Sequence, residues 1–299
     1  MGVIKVSGVI KSFDSKKRVL DSIDLHVKKG SIYGLVGVNG SGKTTIIKHL
    51  TGVLKPDAGT IEIMGEPIYE NNNVKEKIAY VPDDLFFYHG FSLKDMANQY
   101  ANYYNNWSWD YYEKYVKYFR LNEKEPLQSF SKGMKKQAFF ILALSIKPEV
   151  IILDEPIDGL DPIVRKKVWS LIVNEVADRQ MTVLVSSHNL REMEGVCDAI
   201  GIMKDGQVKI EKDIDSLKSD IHKVQVAFPK EVYHPFESLR VLHEDSRGSI
   251  KLVIARNKVE EIREAIDKYE PVIFDILPLT LEEIFIYELG GGKNEEIII

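Results

Sequence analysis

Apolar and polar residues alternate along Val3–Ile10 and again along Val19–Val27, the two-residue period of half-buried strands. The polar stretch Lys11–Arg18 between them predicts a turn and an antiparallel pair. Ile32–Val36, Ile78–Val81 and Val150–Leu153 are apolar without alternation, and Met181–Val185 is nearly so. Runs of that length predict strands buried on both faces, as in a mostly parallel sheet. Thr60–Met64 resumes alternation after Pro56 and Gly59, and Asp198–Met203 and Gln207–Lys212 flank Asp205-Gly206, a strong hairpin signal. Helical spacing appears in Ile46–Leu50, in Lys135–Ile146 before Lys147-Pro148, and from Ile163 to about Asp178. Between Phe86 and Phe119 the apolar positions are mostly Tyr, Trp and Phe at three- and four-residue spacings. They predict helices with aromatic faces, either the core of a small helical subdomain or a surface that receives another protein.

The character changes near Ser216–Asp220. Val224–Phe228, Leu239–Leu242, Ile250–Ile254 and Val272–Leu277 read as strands, and Val259–Tyr269 as an amphipathic helix. Thr280–Leu289 opens with a capping-box pair, Thr280 and Glu283. The expected organisation is an α/β domain over 1–218 with a helical subdomain at about 84–148, a small α+β accessory domain over 219–290 without catalytic residues, and a flexible tail over 291–299.

With 299 residues, the chain is long enough for one large domain and a smaller one. A net charge of -5 argues against a polyanion-binding surface spread over the whole protein, so no nucleic acid is expected as partner. Cys197 is the only cysteine, which leaves no intramolecular disulfide and fits a reducing compartment. The longest wholly apolar window, Ala138–Leu144, is far below the ~20 residues that span a bilayer, so a membrane role would run through a partner. Met1-Gly2 is not read as a lipidation signal, because Val6 stands where Ser or Thr is wanted, and no signal-peptide pattern follows.

The chemistry begins at Gly37-Val38-Asn39-Gly40-Ser41-Gly42-Lys43-Thr44-Thr45, placed between an apolar strand and a helix. Glycines let the backbone N–H groups close on phosphate oxygens, the helix N-terminus adds partial positive charge, Lys43 reaches the β- and γ-phosphates, and Thr44 ligates Mg²⁺. A bare glycine turn would have no use for Lys-Thr after its last glycine. Val150–Leu153 ends in Asp154-Glu155-Pro156. Two carboxylates at the end of a central strand are costly unless partnered. Mg²⁺ on Asp154 supplies the partner and leaves Glu155 to polarise an attacking water, the two side chains pointing apart by strand alternation. His188 follows Ser186-Ser187 at the same sheet edge, within reach of a γ-phosphate, and Asp83 and Asp84 follow Ile78–Val81 there too. Ser131 and Gly133 open a helix as an ordinary N-cap or as a second anion-binding N-terminus. Phe13 is either a stacking platform for adenine or a loop residue with a buried ring.

In order and spacing these segments resemble the ATP-binding subunit of an ABC transporter over residues 2 to about 215. The resemblance implies a P-loop NTPase core with an antiparallel β subdomain and an α-helical subdomain. It makes Phe13 the aromatic of the adenine loop, 37–45 the Walker A loop, and Asp154 with Glu155 the end of Walker B. Ser131 and Gly133 fall in the signature segment, Asp161 in the D-loop, and His188 is the switch histidine. The implied partners are an integral membrane permease subunit and a second ATPase subunit, the same or similar, closing head to tail on ATP so that Ser131, Gly133 and Asp161 complete the site of the other copy. The implied location is the cytoplasmic face of the membrane.

Two positions depart from the family pattern. Phe-Ser-Lys-Gly-Met stands for the usual Leu-Ser-Gly-Gly-Gln, a form similar to that of ABC-2 type exporters, and Asp83 replaces the Q-loop glutamine, still able to reach Mg²⁺ through a water. A soluble ABC ATPase acting on nucleic acid or ribosomes is the alternative. Relatives of that kind carry long insertions between the Walker A loop and the signature or two ATPase domains, and this chain has one of each motif. A P-loop kinase or switch GTPase leaves 129–137 and His188 without a purpose.

Overall fold

The computed structural model describes residues 2–14, 17–230 and 232–289, and the tail expected at 291–299 lies outside them. The first part of the chain forms β1 (Gly2–Ser12), β2 (Arg18–Lys28), β3 (Ile32–Val36), α1 (Lys43–Leu50), β4 (Ala58–Ile63), β5 (Glu66–Pro67), α2 (Asn72–Lys75) and β6 (Ile78–Val81). Then come α3 (Leu93–Tyr103), α4 (Trp109–Phe119), α5 (Lys132–Ser145), β7 (Val150–Asp154), α6 (Pro162–Arg179), β8 (Thr182–Ser187), α7 (Leu190–Met193), β9 (Ala199–Lys204) and β10 (Gln207–Asp213). The chain continues with α8 (Ile214–Asp220), β11 (His222–Ala227), β12 (Val241–Arg247), β13 (Ile250–Ala255), α9 (Val259–Asp267), β14 (Ile273–Leu277) and α10 (Leu281–Leu289). By contact these elements divide into two units: residues up to Asn189 with Val196–Glu211, and Leu190–Gly195 with the residues from Lys212 onward. The boundary expected at 218 falls inside α8, all of which belongs to the second unit.

In the first unit, an antiparallel sheet of order β2-β1-β4-β5 presents Ile4, Val6, Val9, Leu20, Ile23 and Leu25 to a core shared with Ile46, Ile47 and Leu50 of α1. Pairing outruns the apolar alternation: β1 reaches Ser12 and β2 starts at Arg18. Asp57 holds that extension, accepting from Lys11 Nζ at 2.7 Å and from the Ser12 N–H at 2.8 Å.

The second sheet has the order β10-β9-β3-β8-β7-β6. β3 runs parallel to β8 and β9, and β7 runs parallel to β8 and β6. Every residue of β3, β7 and β8 is buried, which is why their sequences do not alternate. Because these strands are parallel, the residues that follow β3, β6, β7 and β8 all emerge at one edge.

The helical layer divides its aromatics between interior and surface. Tyr112, Tyr115 and Phe119 of α4 are buried, with the Tyr112 and Tyr115 hydroxyls donating to Glu123 at 2.7 Å and Glu175 at 2.6 Å. Phe86 and Tyr103 are exposed at 69% and 74%, so a surface remains after the core is served. Cys197 is buried, and burial pushes its thiol up.

The second unit is an antiparallel sheet of order β12-β13-β11-β14 whose Val224, Val226, Val253 and Ala255 pack with Ile262 and Ile266 of α9. β12 is displaced from the expected Leu239–Leu242 because it is a polar edge strand: His243 and Glu244 pair with Ile254 and Val253, while Leu239 closes a turn on the Phe236 carbonyl at 2.9 Å. The expected capping box is present, with the Thr280 N–H 3.0 Å from Glu283 Oε2 and the Glu283 N–H 3.2 Å from the Thr280 hydroxyl.

Candidate functional site

The loop after β3 is shaped by what its glycines avoid. A Cβ on Gly37 would lie 2.4 Å from the Met203 carbonyl oxygen, and one on Gly42, at φ 106°, would lie 2.7 Å from Met203 Cε. α1 then begins at Lys43 with no side-chain cap and no acidic residue in its first turn, which leaves its first N–H groups directed out of the helix toward an anion. Ser41 Oγ is buried and has no hydrogen-bond partner among the described residues. Lys43, 6% exposed, donates from Nζ to the Gly37 carbonyl at 2.6 Å and the Val38 carbonyl at 3.3 Å. An orphaned hydroxyl and a buried ammonium held on carbonyls fit a phosphate chain, which would take both. Val38, Asn39, Gly40 and Thr44 are exposed and Thr45 is partly so.

Asp154, the last residue of β7, is 2% exposed. Its Oδ1 accepts from Ser186 Oγ at 2.6 Å. Burial pushes this carboxyl above its usual range, against the hydrogen bonds from Ser186 and Thr44 and with the charges of Glu155 and Asp83. A buried carboxylate short of positive charge, with a threonine hydroxyl on it, is a hard-oxygen set suited to Mg²⁺. Among the described residues no group of three or more His, Cys, Asp or Glu could hold a metal, so the remaining ligands would have to come from phosphate and water.

Glu155 corrects one expectation. Its divergence from Asp154 is not strand alternation, since Glu155 has already left the strand in the left-handed region at φ 46°. Its N–H donates to Ser186 Oγ at 3.1 Å, and its Oε2 accepts from His188 Nδ1 at 2.9 Å. Oε1 lies 3.6 Å from Lys43 Nζ. The structure thus joins the glycine loop, the acid pair and His188 across three strand ends.

A second group forms at the start of α5. Ser131 is the N-cap, its hydroxyl accepting from the Met134 N–H at 3.2 Å, and Gly133 lies in the first turn. Lys132 Nζ is 3.5 Å from Asp158, and Asp161 caps α6 by accepting the Ile163 and Val164 N–H groups at 3.0 Å each. Phe13 is 62% exposed, with Lys11 Nζ 5.8 Å from the ring centroid, so of its two readings the buried ring is excluded. Asp83 lies 3.7 Å from the Nζ of Lys136. Its charge and that of Asp154 help burial to push the Tyr80 hydroxyl up to about 12.

Two residues of the site escaped the sequence reading. Ser186 touches both acids, and its signal was a serine at the end of an otherwise apolar strand. Lys136 donates to the Glu155 carbonyl at 2.8 Å and the Asp158 carbonyl at 3.0 Å, and its signal was a cation on the buried face of an apolar helix.

Comparison with known proteins places these observations. The family model described as ABC transporter matches residues 20–158. The ABC transporter ATP-binding protein YtrB of Bacillus subtilis is 32% identical over 292 residues, 98% of this chain and 100% of that protein. The bacitracin transport ATP-binding protein BcrA of Bacillus licheniformis is 30% identical, over 97% of this chain and 98% of that one. A solved ATP-binding subunit of an ABC transporter superposes with a TM-score of 0.67 at 28% identity, over 72% of this chain and 92% of that one. A dimeric bacterial ABC transporter cassette, at 21% identity and a TM-score of 0.65 over 71% of this chain and 98% of that one, shares the fold. With a P-loop NTPase core and full-length relatives at this identity, the chain belongs to the ABC transporter family as an ATP-binding subunit that hydrolyses ATP.

Proposed function

We propose that this chain powers export of a substrate through a membrane permease subunit, closing on ATP as a head-to-tail dimer with itself or a similar subunit. The observation that carries the hydrolytic part is Glu155, whose carboxylate is held between Lys43 of the phosphate loop and His188. In this reading Lys43 exchanges the Gly37 and Val38 carbonyls for phosphate oxygens, and Ser41 Oγ gains the partner it lacks. Mg²⁺, held by Thr44 and Asp154, would neutralise phosphate charge, with Asp83 acting through a water. Glu155 accepts a hydrogen bond from a water that attacks the γ-phosphorus. The bond from that phosphorus to the oxygen shared with the β-phosphate breaks, and the water's proton passes to Glu155 and on to the phosphate released, leaving ADP. His188 orients the Glu155 carboxylate and faces the γ-phosphate, and Phe13 stacks on adenine.

Ser131, Gly133 and the Asp161 turn would serve the phosphates of the partner subunit. The uncapped phosphate loop and the first turn of α5, which also carries no acidic residue, support two phosphate-facing helix starts per chain. Partner docking is assigned to a groove of about 600 Å³ lined by Pro82, Phe86, Tyr88, Met96, Tyr100 and Tyr103. No helix among the described residues is long and apolar enough to cross a membrane; attachment to the cytoplasmic face through the permease rests on the likeness to transporter ATP-binding proteins. The name of the bacitracin transport relative and the Ser-Lys-Gly-Met signature favour export.

Glu155→Gln tests the core of this. It keeps shape and removes charge, so ATP should bind without turnover and shift the chain from monomer to dimer in light scattering when ATP and Mg²⁺ are added. Hydrolysis at the parental rate would remove Glu155 from the chemistry, and a chain that stays monomeric at saturating ATP would count against closure.

A further inference from the structure

Lys136 sits in the first half of α5 with 1% of its surface exposed, in a helix whose following residues, Gln137 to Ser145, are all buried. A buried ammonium is costly unless its donors are used, and this one faces three acceptors. Two are main-chain carbonyls, of Glu155 at 2.8 Å and of Asp158 at 3.0 Å, and the third is Asp83 Oδ1 at 3.7 Å. Burial lowers the affinity of this lysine for its proton, and the Asp83 charge works against that. The three acceptors come from three segments: the end of β6, the end of β7, and the turn that leads into α6.

Glu155 is the residue for which this matters. A glutamate at φ 46° occupies a region that side chains with a Cβ disfavour, so its peptide needs holding from both ends. Ser186 holds the N–H and Lys136 holds the carbonyl. Asp83 is flanked in sequence by Pro82 and Phe86, both of which line the aromatic groove. An occupant of that groove therefore touches residues one and three positions from the carboxylate that faces Lys136.

We propose that Lys136 is a positioning residue for hydrolysis, tying the Glu155 peptide into its left-handed turn, and that the Asp83 carboxylate sets how firmly it does so. Asp83, the position at which this chain departs from the family's glutamine, thereby acts through Lys136 on Glu155 and on the 158–161 turn. This rests on the assignment of Glu155 to water activation, but it is read by a measurement that needs no turnover.

Hydrogen exchange followed by mass spectrometry on the full-length chain without nucleotide tests the link. Asp83 is half exposed, so Asp83→Asn leaves the core intact. It is expected to speed exchange of the 155–160 amides by about threefold, and Asp83→Glu, which keeps the charge, should stay near the parent. In steady-state hydrolysis Asp83→Asn and Lys136→Met should lower kcat by about tenfold with KM for ATP within about twofold, because the carboxylate is misaimed while the phosphate loop is intact. If Asn and Glu at position 83 behave alike, or if exchange at 155–160 is unchanged in Asp83→Asn, the link is refuted whether or not Lys136→Met folds. Should Glu155→Gln hydrolyse ATP normally, the assignment of Glu155 fails separately, and the exchange result still decides whether Asp83 controls the turn.

Discussion

Ser186→Ala isolates what one buried hydroxyl does for the acid pair. Ser186 is fully buried, donates to Asp154 Oδ1 at 2.6 Å and accepts from the Glu155 N–H at 3.1 Å. Loss of a hydrogen bond to a charged acceptor costs about 1.5–3 kcal/mol, and an orphaned buried N–H about 1–3 kcal/mol, so the two together come to about 3–5 kcal/mol when their overlap is counted once. The cavity is one oxygen in size and adds little. Against a total stability of about 5–15 kcal/mol the loss is large but survivable. Trp107, Trp109 and Trp169 all lie in the first unit, so urea denaturation followed by tryptophan fluorescence reads that unit. The variant also removes a bond that favours ionised Asp154, whose carboxyl burial already holds above its usual range. A proton should then compete better with Mg²⁺, and half-saturation of ATPase activity should need more Mg²⁺, with a larger increase near pH 6 than near pH 8. A stability loss under about 1 kcal/mol, with an unchanged Mg²⁺ requirement at both pH values, would refute the idea that Ser186 organises the acids.

Replacing Tyr103 and Phe86 in the groove by Ser should abolish co-purification of the permease from membranes while leaving nucleotide affinity within about twofold, because both side chains are exposed and remote in sequence from the phosphate loop. Burial holds the His49 imidazole below its ordinary value, and its Nδ1 lies 2.7 Å from the Thr45 carbonyl. A histidine with a lowered folded pKa contributes stability that is present above the unfolded value and is lost as pH falls from there through the folded one. The urea midpoint should therefore drop between pH 7 and 5, and His49→Gln should flatten that slope whatever its own stability. A chain truncated after Lys218 should still bind ATP but aggregate, since Leu190 and Met193 are buried in the unit that contains α10. Light scattering checks this, and changing both to Ser should restore solubility; loss of ATP binding by a folded truncated chain would show that the second unit supports the site.

The sequence by itself determined the chemistry that depends on local residue order. The phosphate loop, the strand ends carrying Asp83, Asp154-Glu155 and His188, the Asp205-Gly206 hairpin and the Thr280 cap are all short-range patterns. A turn, a cap or a buried strand is encoded by neighbours in the chain. The sequence could also predict that these strand ends share an edge, because apolar runs imply a parallel sheet. What it could not decide was the pairing of polar groups across that edge. Ser186 reads as one more strand residue and Lys136 as one more helix residue until the sheet order sets β8 beside β7 and packs α5 on the same end. Glu155 could not be assigned its left-handed turn either, since that conformation is strained locally and is held by Ser186 and Lys136 from segments distant in the chain. The same holds for β12, whose polar residues become a strand only because β13 offers them a ladder. Local patterns report free energies that a short segment realises alone, whereas these positions are set by contacts between segments far apart in the chain, which exist only after folding has brought them together.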